Sequence, residues 1–343
     1  MKLICAFLTA ALTAPLAARD LNVPVDKGWM HAETGIVLRP QLAGLMRTAL
    51  QDATQSERDV TAQFGAPDKS VVATIYVFRP AIADVGMWFD RSRTALEGRS
   101  TFKNTSPATA DPVAFAAGGS SSLLSLRQVY ASPDGPFRST ALAVVPVGQW
   151  IVGIRMSAAT LSAGELDGRL LQVISAIKWP NTSDIPSLAA TPINACATPI
   201  AFHKAKQIKP SGSEMLMSLI GGSMVAKQQA EQKDSPAPIS TWCRNGTATT
   251  EYGIYQSDGR LKGYVLALYD AGRVVSVYPS IMGQIDDTGT YSVTLEDVDG
   301  TVSTFPSFSA LPDPKQVWEL INKVSPSGFA KGKTITLDPK SLR

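Results

Sequence analysis

The chain has 343 residues, of which 44% are hydrophobic and 18% charged, with a formal net charge of +3, three cysteines and two histidines. This length corresponds to about two domains, and the composition excludes a largely disordered chain. The few cysteines and histidines and the small basic excess also argue against three classes: a cysteine-rich miniature scaffold, a multi-histidine metal site and a strongly basic nucleic-acid binder.

The first 18 residues have the pattern of a secretory signal peptide. A short basic start precedes an apolar run over residues 3–12, and small residues with a proline fill 13–18. This layout predicts cleavage after Ala18 and export to the periplasm or the outside of the cell. An uncleaved anchor is the alternative, but it needs about 20 apolar residues and Arg19 interrupts the run too soon. We therefore expect no transmembrane segment after cleavage.

Removal of this segment leaves 31 basic and 29 acidic residues and two cysteines, Cys196 and Cys243. Because oxidising compartments allow disulfides, an even pair in an exported chain predicts one bridge between them. Two buried free thiols or one reactive cysteine are the alternatives. A reactive thiolate would need a basic partner.

Residues 19–180 are predicted to form an antiparallel sheet with packed helices. Alternating or β-branched runs indicate strands, and two segments carry helix-start signals. Residues 40–55 stay ambiguous between a helical stripe and a strand. The predicted strands cover 60–64, 70–78, 124–131, 137–145 and 149–156; the helices begin after Asp84 and Ser162.

Proline recurs among small residues over 181–240, which is typical of a linker or an irregular wrap. One helix is expected within it, at about 211–232, with an apolar side that includes Met215, Leu216, Leu219 and Ile220. Methionine-rich surfaces adapt to varied shapes, so this side is the candidate partner-binding surface. A structural wedge packed between the two domains is the alternative.

Residues 241–325 are predicted to form a second antiparallel sheet closed by a helix, and 326–343 a tail with one edge strand at 334–337. The helix begins at Asp313, with Pro314 in its first turn. The predicted fold class is therefore α+β in two domains. The predicted strands of the second sheet cover 247–256, 260–269, 273–278, 290–296 and 301–308.

The order of elements in the first domain resembles PsbP-like α+β domains. Residues 71–79 and 270–279 also resemble stretches of exported bacterial proteins with no assigned activity. The resemblance includes no catalytic motif. It implies an exported binding or assembly module.

Catalytic motifs are incomplete throughout the chain. His31 and His203 have no placed serine and acid, so each is expected at a surface or a cap. Residues 328–334 are one residue short of a phosphate loop. Asp297–Gly300 begins like a calcium loop but lacks the glutamate at position 12, which favours a hairpin turn over weak calcium binding.

These observations predict an exported, non-enzymatic binding or envelope-assembly protein, with a protein partner or a small ligand and without a cofactor or nucleic acid. The alternative is a carboxylate-based hydrolase of envelope material, because paired acids leave no sequence signature. Two acids converging in a deep pocket would favour the hydrolase. A flat exposed apolar patch would favour the binder.

Overall fold

The computed structural model describes residues 18–102, 104–118, 120–180, 188–209, 212, 215–219, 242–257, 262–285 and 289–338. The predicted signal peptide, apart from Ala18, lies outside these residues. So do most of the helix expected at 211–232, its start signal and Ile220. Among the described residues, no helix has the length and apolar character needed to cross a membrane.

The first sheet has ten strands in the order β1-β5-β6-β7-β12-β11-β10-β8, with β4 beside β5 and β9 beside β10. All of its neighbours pair antiparallel. A separate hairpin, β2 (Trp29–Met30) and β3 (Val37–Leu38), lies outside it. The ten strands are β1 (Arg19–Asp20), β4 (Gln41–Leu42), β5 (Leu45–Asp52), β6 (Asp59–Gly65), β7 (Val71–Phe78), β8 (Ser106–Pro107), β9 (Val113–Phe115), β10 (Ser125–Ala131), β11 (Ser139–Val147) and β12 (Trp150–Ala158).

The second sheet also has ten strands, in the order β13-β15-β16-β17-β18-β19-β20-β21-β22, with β14 beside β20. Only β13 and β15 pair parallel among its described strands. The strands are β13 (Asn194–Ala195), β14 (Gln207–Ile208), β15 (Trp242–Arg244), β16 (Tyr252–Ser257), β17 (Tyr264–Leu268), β18 (Arg273–Pro279), β19 (Tyr291–Glu296), β20 (Thr301–Phe308), β21 (Gly328–Lys331) and β22 (Thr334–Leu337).

Four helices have complete bounds: α1 (Val85–Glu97), α2 (Ala163–Ala176), α3 (Ile281–Ile285) and α4 (Pro314–Lys323). The predicted starts of three of them are confirmed. Asp84 caps α1 by accepting a bond from the Met87 amide at 2.7 Å, and Ser162 and Asp313 form capping boxes. Each cap satisfies amides that the first helical turn leaves unpaired.

The sheets and helices stack in five layers, α2, first sheet, α1, second sheet and α4. Side chains alternate across each strand, so one strand contributes to two layers. In β11, Ala141 and Ala143 face α2, whereas Leu142 and Val144 face α1. Helix α1 therefore lies in a core that both sheets share.

The expected α+β fold class is wrong, because strands take 40% and helices 17% of the described residues. The fold is β-rich, with two large antiparallel sheets. Several strands of two or three residues, such as β8 and β13, come from stretches without an alternating pattern. The sequence therefore predicts loops or a linker at these positions. The expected domain boundaries near residues 180, 240 and 325 stay a prediction.

Helix α1 is held to the second sheet by two buried charged residues. Arg91 is 0% exposed and donates to three backbone oxygens, those of Tyr269 at 2.5 Å, Thr249 at 2.8 Å and Thr250 at 3.0 Å. Its neighbour Asp90 accepts from the Tyr255 hydroxyl at 2.8 Å and from Arg244 at 2.6 Å. Buried charges are tolerated only with such partners.

We expect Arg91→Met to lower the free energy of unfolding by about 3 kcal/mol or more, because the three hydrogen bonds that the buried Arg91 cation donates to backbone oxygens are lost. Urea denaturation measures the change. Arg169→Met on α2 is the matched control, since the Arg169 side chain bonds to Gln172 in an exposed pair. Equal losses for the two variants would contradict the assigned role of Arg91.

The predicted bridge between Cys196 and Cys243 is confirmed, with the two Cα atoms 4.9 Å apart. It joins the residue after β13 to the middle of β15 and so fixes the segment 188–209 against the edge of the second sheet.

Closing a loop with a sequence separation of 47 is worth about 4 kcal/mol in the chain-entropy account. We expect the double variant Cys196→Ala/Cys243→Ala to lose an amount of that order in urea denaturation. The reduced native chain should lose as much. A variant as stable as the oxidised chain would show that the bridge contributes nothing.

Candidate functional site

Helix α1 covers only part of the inner face of the first sheet. On adjacent strands, Phe78 pairs with Ile151 beneath the helix, and the face there is apolar. Four residues further along these strands, on the same face, Thr74 pairs with Arg155. Two residues beyond that pair, Ser157 lies between Val72 and Thr140 on its neighbouring strands. The sheet face therefore becomes polar near the carboxyl-terminal end of α1, at Leu96.

A cavity of about 270 Å³ lies over this polar part of the sheet. Its floor contains the hydroxyl groups of Thr74, Thr140 and Ser157, and its side contains Leu96 from α1. The loop after α1 and the residues before β11 complete it, with Arg99, Thr101, Phe102 and Phe137. The volume lies just below the range of roughly 300–1,000 Å³ that is usual for small-molecule sites.

Arg155 supplies the charge on the floor of this cavity. Its guanidinium forms an ion pair with Asp270, which belongs to the turn between β17 and β18, and lies 5.4 Å from the centre of the Tyr76 ring. Burial lowers the pKa of Arg155 to about 10, with Tyr76 opposing and Arg99 adding to the shift. Arg155 therefore stays positively charged at neutral pH.

Arg99 places a second guanidinium at the same cavity. It is exposed, and no ion-pair partner for it exists within the described part of the chain. Its charge disfavours the charge of Arg155. Two like charges at one cavity repel each other, and a bound anion would relieve that repulsion.

The floor and the cover of the cavity differ in polarity. The Thr140 and Ser157 hydroxyl oxygens are 3.0 Å apart, and both residues are buried. The Phe102 and Phe137 rings, half-buried, have centroids 6.1 Å apart. A ligand here would meet cations and hydroxyls on one side and aromatic carbon on the other.

A larger depression, of about 720 Å³, lies beside α2 and is open to solvent. Its acids, Asp68 and Glu165, already accept bonds from Ser70 and Ser162. These bonds lower the pKa of both carboxyls. The two acids therefore serve a turn and a helix cap, and the smaller cavity is the better candidate.

Two carboxyls with raised pKa lie at the ends of interior strands, one in each sheet. Burial raises the pKa of Asp59 on β6 to about 6, with Arg273 of the second sheet opposing. Burial also raises the pKa of Glu296 on β19 to about 7, with Arg79 after β7 opposing. Neither acid lines either of the two cavities described above.

The candidate partner-binding residues do not form one exposed face among the described side chains. Met215 and Leu219 are buried, Leu216 is 40% exposed, and Ile220 lies outside the described residues. Leu219 lies beside Gly328 of β21. A partner-binding role for Leu216 stays a prediction.

The other residues that the sequence singled out have structural contacts. His31 is buried, and its two ring nitrogens bond to Thr34 and to the Glu57 carbonyl, each at 2.9 Å. Asp297 and Asp299 lie in a hairpin turn, paired with Arg273 and Lys331. The described residues contain no group of three His, Cys, Asp or Glu placed to hold a metal ion.

Comparison of this chain with protein-family models, with curated proteins and with solved structures found no match. The resemblance to PsbP-like domains therefore stays a prediction, and the site is interpreted from its own geometry.

Asp59 and Glu296 give a prediction for the pH dependence of stability. In the folded chain, the pKa of each carboxyl lies above its unfolded value. The neutral form of each carboxyl therefore contributes to the free energy of unfolding, and this contribution is complete below about pH 4. The contributions are lost as the pH rises through about 6 for Asp59 and about 7 for Glu296. Each is worth about 3 kcal/mol at most.

We therefore expect Asp59→Asn and Glu296→Gln to remove part of the loss of stability between pH 4 and 8, measured by urea denaturation at each pH. Exposed Glu319→Gln on α4 is the control. Parallel pH curves for wild type and both variants would contradict the raised pKa values.

Proposed function

We propose that this chain is an exported binding protein that holds a small ligand in the cavity between the end of α1 and the first sheet. The observation that carries the proposal is the change of the inner sheet face from apolar to polar over the cavity. A sheet face that only packed against a helix would be apolar along its length. Hydroxyls and a guanidinium at the bottom of a partly apolar cavity are typical of ligand sites.

Export is supported by the signal-like segment 1–18 and by the disulfide, since bridges persist in oxidising compartments. Binding without catalysis is supported by the residues that line the cavity, which are arginines, hydroxyls and aromatic rings. The hydrolase alternative would instead need two convergent acids. Asp59 and Glu296 are the acids with raised pKa that a test of this alternative would substitute, although neither lines a described cavity.

The test uses the small-molecule fraction of a cell-envelope extract and the melting temperature of the mature chain. A ligand that binds the folded state raises this temperature. Val72 lines the mouth of the cavity and is 38% exposed, so Val72→Trp should fill the entrance without disturbing the core. We expect the extract to stabilise the wild type and not this variant.

Val113→Trp is the matched control, because Val113 is 37% exposed on β9 and does not line the cavity. It should respond to the extract as the wild type does. Equal stabilisation of all three proteins would place binding elsewhere and contradict the proposal. Hydrolysis of envelope polymers that is lost in Asp59→Asn and Glu296→Gln would favour the alternative.

A further inference from the structure

We propose that the ligand of this cavity is a small organic anion with one negative charge, a carboxylate held by Arg99 and Arg155 and an aromatic body placed against Phe102 and Phe137. This inference rests on the proposed function, because it names the chemical class of the ligand for the same cavity. Three features of the cavity support it, and one consequence distinguishes it from a purely structural role of the same residues.

The first feature is the local balance of charge. Arg99 and Arg155 line the cavity, and Asp270 pairs with Arg155 from the second sheet. These three groups leave one positive charge uncompensated. A singly charged anion completes the balance, whereas a doubly charged phosphate would exceed it.

The second feature is the geometry of the donors. A guanidinium presents parallel N–H groups that match the two oxygens of a carboxylate. Asp270 contacts one nitrogen of the Arg155 guanidinium, so this cation already pairs with a carboxylate at the edge of the cavity. Arg99, which has no ion-pair partner in the described residues, supplies the second cation.

The third feature is the apolar cover. Phe102 and Phe137 form a tilted pair of rings over a polar floor, and Leu96 and Val72 add aliphatic carbon. Aromatic rings pack well against such pairs in offset or tilted arrangements. A bare inorganic anion would leave this surface unused.

The consequence is a competition between Asp270 and the ligand. Both are anions that bind the Arg155 guanidinium, so the carboxylate of Asp270 weakens the attraction of the cavity for a ligand. Removal of the negative charge of Asp270 should therefore strengthen ligand binding, whereas removal of Arg99 should weaken it. A purely structural role for these residues gives no such opposite effects.

The experiment is calorimetric titration of the full mature chain with 3-phenylpropionate and with its neutral amide. We expect the acid to bind at least tenfold more tightly than the amide, because charge-assisted bonds are lost in the amide. Acetate and inorganic phosphate, which lack the aromatic body, should bind at least tenfold more weakly than the acid. Val72→Trp should abolish binding of the acid.

The variants are Arg99→Met, Arg155→Met and Asp270→Asn, with exposed Arg138→Met as the control. Arg99→Met and Arg155→Met should each weaken binding of the acid at least tenfold, and Asp270→Asn should strengthen it severalfold. Arg99 is exposed, so Arg99→Met should leave the melting temperature unchanged and remain informative if the other two variants fold poorly.

Equal binding of the acid and the amide, or an unchanged affinity in Arg99→Met, would overturn the anion proposal. If Val72→Trp still abolished binding in that case, the cavity would stand as the ligand site and only the ligand class would fall. Failure of every probe to bind would also overturn the anion proposal. The extract experiment with Val72→Trp would then decide the proposed function separately.

Discussion

Burial of the Arg91 guanidinium between two sheets is the constraint on which the rest of the architecture depends. A cation with no exposed surface must find acceptors, and Arg91 finds them in three backbone oxygens of the loops that connect β15 to β16 and β17 to β18. Asp90, one residue earlier, is satisfied by Tyr255 and Arg244 of the second sheet. Loss of a partner would leave a buried charge uncompensated, so these contacts favour the observed arrangement of α1 on the second sheet. The apolar side of α1, with Trp88 and Phe89, then fixes the helix on the first sheet.

The position of α1 also determines where the candidate site forms. The helix ends at Glu97, and the inner face of the first sheet continues beyond it, so a cavity remains where no helix covers the strands. An uncovered sheet face would expose apolar residues to water, but this one carries Thr74, Thr140, Ser157 and Arg155. The polar residues follow the end of the helix, which indicates that the cavity is a built feature of the fold.

The sequence predicted the long elements well and the candidate site not at all. Residues 301–308 and 334–337 form strands with the predicted bounds, because alternation and turn residues act locally. Residues 40–55 were ambiguous because β5 contains a bulge between Arg47 and Ala49, which breaks the period of two. The loop expected at residues 146–148 is shorter, since Val147 still pairs with Trp150 and the turn is left to Gly148 and Gln149.

Arg155 and Thr74 of the candidate site are far apart in sequence and meet only because β7 and β12 are neighbours in the sheet. Spacing along the chain carries no signal for that pairing, just as it gave no reason to bury Arg91.

The second sheet completes the electrostatics of a cavity that the first sheet builds. The turn between β17 and β18 approaches the first sheet so closely that a Cβ on Gly272 would lie 2.9 Å from Phe78 and 3.2 Å from Pro80. The Gly272 oxygen accepts a bond from the Ala81 amide at 2.9 Å, and the Tyr269 oxygen accepts from Arg91. These two contacts bracket Asp270 and hold it against Arg155. The net charge of the cavity therefore depends on the contact between the two sheets. If the sheets separated, Arg155 would lose its carboxylate partner and the cavity would carry two uncompensated cations. An anion bound in the cavity would also affect the contact between the two sheets, because the anion and Asp270 would share the Arg155 guanidinium.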